Sequence, residues 1–84
     1  MKATLITTDG NQTVIDAEGG WQQWNETIGA HTGTIVTSPD GSIELWCDDE
    51  GLFKEDARQN IIASILVKQP IVGDVIAFPA GAIK

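Results

Sequence analysis

The sequence predicts an α+β fold in the order β-β-α-β-β-α-β, with two helices packed on a mostly antiparallel sheet. Three observations lead there. Turn chemistry at 8–11 (Thr-Asp-Gly-Asn) and 38–41 (Ser-Pro-Asp-Gly) separates β-branched runs and predicts two hairpins. Apolar residues recur at helical spacing in 20–28 and 56–67. The last run, 74–79, is apolar at successive positions, the pattern of a strand buried on both faces.

In chain order, residues 2–7 mix β-branched and aliphatic side chains and read as a strand, with 12–17 returning as its hairpin partner. Glu18-Gly19-Gly20 breaks that strand. Trp21, Trp24 and Ile28 then fall at i, i+3 and i+7, which predicts a helix over 20–28 with these three on its core face. Gly29 suits the position just past its end. Residues 34–37 and 42–47 form the second hairpin, with alternation placing Ile43, Leu45 and Cys47 on one face and Glu44 and Trp46 on the other. The 56–67 helix is expected to organise the fold. Asp56 and Gln59 resemble a capping box, Ala57, Ile61, Ile62, Ile65 and Leu66 share one side, and Pro70 blocks continuation. Each large aliphatic buried there contributes roughly 1.5–3 kcal/mol. The tail after Pro79 is expected to be loose.

At 84 residues the chain reads as a single domain, 1–84, of a size at which an oligomer or ligand often adds stability. No apolar run approaches the roughly 18 residues of a membrane span. The N-terminus is too short and polar for a signal peptide, so a soluble cytoplasmic protein is expected. Cys47 is alone, which excludes an internal disulfide and a cysteine-based zinc site. Twelve acidic residues against five basic ones give a net charge of −7, and the basic residues are scattered. Direct nucleic-acid binding needs a clustered basic face and is disfavoured.

Residues 48–78 resemble a small domain family of unknown function found in phages, plasmids and gut metagenomes. The resembling features are Asp49-Glu50-Gly51 after a strand, Asn60 followed by Ala63 in a helix, and Ile71-Val72-Gly73-Asp74 opening the final strand. Lys2 to Ile6 and Ile28-Gly29 also look similar. The chain departs from the family's pattern at Ala30 and His31, and lacks a proline between Gly51 and Asn60. The resemblance implies a small α+β domain in a phage-type setting and supplies no activity.

The candidate partner- or ligand-binding residues are Trp46, Asp48, Asp49, Glu50, Trp21 and Trp24. Tryptophan can stack a ring or anchor a partner, but helical spacing favours the core for Trp21 and Trp24. Asp48, Asp49, Glu50, Glu55 and Asp56 form the densest acidic region. Its spacing fails the EF-hand loop, because Gly51 at position six would put Trp46 at position one. A solvated loop and helix cap is the plain alternative. His31 is the only histidine and no motif ties it to a nucleophile; Cys47 reads as a buried, inert thiol. Asn60 is a poor helix residue unless its amide bonds something, and Asp74 is expected to bond local backbone. No metal, cofactor or catalytic set is expected. The expected function is therefore binding: a small acidic phage-type accessory protein that engages a host protein, including the variant of a DNA mimic. The alternatives are a nucleotide-like ligand sponge built on stacked tryptophans and, least favoured, an enzyme; the small size and two hairpins that could expose sheet edges also suggest a homo-oligomer.

Overall fold

Both turns close as their residues demand. Thr7 N–H donates to the Asn11 carbonyl across the first, and Gly10 takes φ +92°. In the second, the Asp40 carboxylate accepts from Ser38 Oγ at 2.7 Å and from Ser42 N–H at 3.1 Å, while Gly41 takes φ +77°. Those bonds hold the exposed Asp40 carboxyl down at about 2, the Ser38 hydroxyl contributing most. The computed structural model describes residues 1–51 and 58–82. Its elements are β1 (Lys2–Ile6), β2 (Gln12–Asp16), α1 (Gly20–Ile28), β3 (Gly33–Thr37), β4 (Ile43–Asp48), α2 (Ile61–Val67) and β5 (Val75–Pro79). They match the expected order.

The strands form one antiparallel sheet in the order β2-β1-β5-β4-β3. The two hairpins therefore flank the last strand, which is why Val75–Pro79 is apolar on both faces. Leu5 opposite Ile76 and Trp46 opposite Ile76 fix the register on one face; Leu45 opposite Ala77 and Ile6 opposite Val75 fix it on the other. Each face has its own core. Ala3, Ala17, Trp24, Ile28, Ile76 and Phe78 pack on the α1 side. Ile6, Leu45, Cys47, Ala63, Val67, Ile71 and Val75 pack on the α2 side. The helices thus lie on opposite faces, and the sheet is the middle layer.

The second helix differs from the expectation over 56–67. It begins at Ile61, with Asn60 as its N-cap; Arg58 and Gln59 lie outside it, and Gln59 bridges Val72. Asp56 and Ala57 fall outside the described residues, but Gln59 is not part of a capping box. The reason lies in Asn60. Its N–H donates to the Ile71 carbonyl, which holds 59–60 extended alongside 71–72, and its Oδ1 accepts from Ala63 N–H to start the helix. The helix face is corrected as well. Ala63 and Val67 are buried and Ile62 and Leu66 half-buried, whereas Ile61 and Ile65 are exposed at 61% and 66%. Anchoring the first turn to β1 and the loop before β5 rotates the helix so that the 63/67 row, not 61/65, meets the sheet. Beyond Pro79 the chain keeps contacts with the sheet as far as Ala82. Ala80 N–H donates to Ser42 O, Gly81 N–H to Glu44 Oε1, and Ala82 packs against the α1-side core.

Asn60 is fully buried, and its Nδ2 donates to both Ile6 O and Gly73 O at 3.0 Å. Substituting Asn60→Ala strands two carbonyls and one N–H, and each buried orphan costs about 1–3 kcal/mol, so urea unfolding should show a loss of about 3–5 kcal/mol. Asn60→Asp should be worse near neutral pH, because it aims a carboxylate at two carbonyl oxygens, and should recover in part on acidification. A loss below about 1 kcal/mol in both variants would contradict this role.

Candidate functional site

The tryptophans are mostly absorbed into the α1 side. Trp24 is buried, edge-on to Trp46 with ring centroids 5.2 Å apart, and tilted on Phe78 at 4.8 Å. Its Nε1 donates to Ala17 O. Trp46, half-buried, lies beneath α1 and donates from Nε1 to Asn25 Oδ1 at 2.9 Å, while Asn25 Nδ2 reaches His31 O. The edge of the Trp46 ring rests on Gly33, where an added Cβ would come within 2.3 Å of it. Both indole donors are satisfied, so these rings are structural. Trp21 is 59% exposed, against the expectation that it joins the core. Around the helix it shares the stripe of Trp24 and Ile28. Its exposure comes from its place on the first turn, because α1 packs over β3, β4 and β5. Among the described residues the three tryptophans form no common stacking platform, and Trp21 is the exposed one.

The acidic residues at the end of β4 make a turn. Asp48 Oδ1 accepts from Glu50 N–H at 2.9 Å, and Asp49 and Glu50 are exposed. Glu55 and Asp56 lie outside the described residues. Among the described residues no group of three His, Cys, Asp or Glu side chains is placed to hold a metal ion. Beside the turn is a hollow of about 150 Å³ lined in part by Thr34, Cys47, Asp48, Asp49 and Ile71. The Cys47 thiol is pushed up to about 11, by burial first and then by the charges of Asp48 and Asp49. His31 is exposed, and Asp74 accepts from Thr8 N–H at 3.1 Å, tying β5's start to the first hairpin.

The α2 side holds the feature that sequence reasoning missed. An open groove of about 400 Å³ runs over Lys2, Thr4, Val14, Ile43, Ala77 and Pro79, which strand alternation directs to this face. A second hollow of about 300 Å³ continues past Ser42 and Ile43 to Ile65, Leu66 and Lys68. The cause is length. A seven-residue helix is roughly 10 Å long, whereas five strands span roughly 19 Å. Among the described residues α2 covers Leu45, Cys47 and Val75 and leaves the β1–β2 side open. Val14 is 68% exposed at that end, with Ile61 and Ile65 exposed on α2. The signal was present in the sequence: Val14 alternates out of phase with Ile15, and Pro70 bounds a short helix.

The chain matches no protein-family model, and no curated protein or solved structure is significantly similar to it.

Two outcomes test this geometry. Iodoacetamide should alkylate Cys47 slowly in the native protein, with a rate that keeps rising with pH towards about 11, whereas the urea-unfolded chain should behave as an ordinary thiol. A native rate that levels off near pH 9 would contradict the burial argument. Gly33→Ala forces the Trp46 ring to shift, so tryptophan emission should change and stability should fall by about 1–3 kcal/mol. Unchanged emission and stability would mean the ring contact is slack.

Proposed function

We propose that the protein acts by binding a partner protein, seating an apolar segment of that partner in the groove beside α2. The observation that carries this reading is the open part of the α2-side face, where exposed Val14 and Ile65 flank hollows lined by the half-buried Ile43 and Ala77. Apolar side chains left open in a concave surface with a polar rim are what a partner's anchor residues fill. A chain of 84 residues has few large apolar side chains to leave outside its core, which makes three exposed aliphatics on this side a costly arrangement without an occupant. Charge supports the choice of partner. The chain carries −7, so basic residues flanking the partner's apolar segment would speed and orient docking. A phage-type setting and a host partner rest on the resemblance of residues 48–78. The ligand-sponge reading has less support, since Trp24 and Trp46 spend their rings and donors on each other, Phe78, Ala17 and Asn25.

The test is an affinity capture from bacterial lysate with the native protein, Val14→Lys, Ile65→Lys and Trp21→Ser in parallel. The first two variants should weaken retention of a stoichiometric partner about tenfold or more, and Trp21→Ser should leave it unchanged. All three positions are exposed, so folding is preserved and circular dichroism checks it. A partner released by Trp21→Ser and indifferent to the groove variants, or a retained small molecule in its place, overturns this reading.

A further inference from the structure

We propose that β3 is a self-pairing edge, along which a second copy of the chain adds antiparallel with Ile35 opposite Ile35. The hydrogen-bond phase of the second hairpin sets this up. Ser38 N–H donates to Ile43 O, and Asp49 N–H donates to Thr32 O. In an antiparallel pair the bonded positions alternate, so Thr34 and Val36 bond to β4. Gly33, Ile35 and Thr37 then turn their N–H and C=O groups outward, and none of these has a partner among the described residues.

That outward set is symmetric about its middle residue. A two-fold axis at Ile35 pairs Ile35 with Ile35 and Gly33 with Thr37 twice over, satisfying every outward group of both strands. The side chains agree with this register. Ile35, 41% exposed, meets its own copy on the α1 side, and Thr34 meets Val36 on the other. Gly33 leaves room opposite Thr37. Charge selects the same edge. The chain carries −7, yet residues 33–37 hold no ionisable side chain and no proline, the devices that usually keep an edge unpaired. The opposite edge, β2, is guarded: Asp16 lies in it, and Gln23 Nε2 occupies the outward Asp16 carbonyl. This inference does not depend on the groove, whose lining includes none of residues 33–37.

The experiment is light scattering on the purified chain from micromolar to millimolar concentration, with Ile35→Pro and Ile35→Lys alongside. Proline at 35 removes an N–H that points outward, so the β3–β4 ladder is spared, and lysine places a charge at the two-fold axis. The native mass should rise to that of two chains, and both variants should stay at one. Register is tested by oxidation. Ile35→Cys should form a disulfide-linked dimer, because paired Cα atoms roughly 5.5 Å apart lie within disulfide reach. Thr37→Cys, which faces Gly33 of the second copy and Glu44 of its own chain, should not, and Cys47 stays buried in both. A native chain of single mass at every concentration, a dimer that survives Ile35→Lys, or failure of Ile35→Cys to cross-link the dimer overturns the proposal. Pairing of β3 with a different protein's strand would show as a mixed complex in place of the dimer, and counts against it too.

Discussion

The fold depends on the Asn60 side chain. Among the described residues it is the buried side chain that bonds the end of β1, the loop into β5 and the first turn of α2 at once. Its backbone adds a bond to Ile71 O, and its carbonyl receives Ser64 N–H and Oγ. Ser64 Oγ in turn accepts from Ile71 N–H, so the chain returning from α2 is stapled to the chain entering it. A buried amide is expensive when any of its bonds is missing and inexpensive when all are made. This one is complete. It therefore fixes where α2 starts, which side it presents and how β5 enters between the hairpins.

That dependence explains which parts of the fold were legible in the sequence. The turns at 8–11 and 38–41, the limits of α1 and the central place of β5 follow from local chemistry: a glycine at positive φ, a carboxylate beside two N–H groups, an apolar run with no polar face. The start and rotation of α2 do not. Ile61, Ile62, Ile65 and Leu66 make a plausible stripe, and the spacing cannot say that a cap tied to Ile6 and Gly73 turns half of it outward. Trp21 fails in a related way. Periodicity gives its angle on α1 correctly but not its place along the helix relative to the strands beneath.

The candidate site was less legible than the fold, and the reason is also physical. Sequence reasoning weighs residues by type, so it went to the tryptophans and the acidic run. Trp24 and Trp46 proved to fill one face of the sheet, with Asn25 satisfying the polar tip of Trp46. The opposite face is built from aliphatic side chains, with Ile6, Leu45, Ile71 and Val75 packed against Ala63 and Val67 of α2. A helix of seven residues laid on that face covers little of its width. The groove is the complement of that packing. No residue in it is chemically distinctive, so only the juxtaposition of Val14, Ile43 and Ala77 with Ile65 across three strands and a helix reveals it.

The two exposed features, groove and edge, answer different constraints. A groove exposes apolar side chains, and any segment of fitting shape and polarity can cover them. An edge strand cannot hide its backbone, and most proteins guard it with charge or proline. Here β2 has such a guard and β3 does not. The asymmetry matters for where pairing stops. A contact that is its own complement is isologous, so two copies joined at β3 use up both unguarded edges. The edges left outside belong to β2, where the Asp16 carboxylate and the bond from Gln23 discourage another strand, and where each incoming copy adds −7 to a doubled charge. Neutral residues at one edge and charge at the other thus favour a closed pair over an open stack.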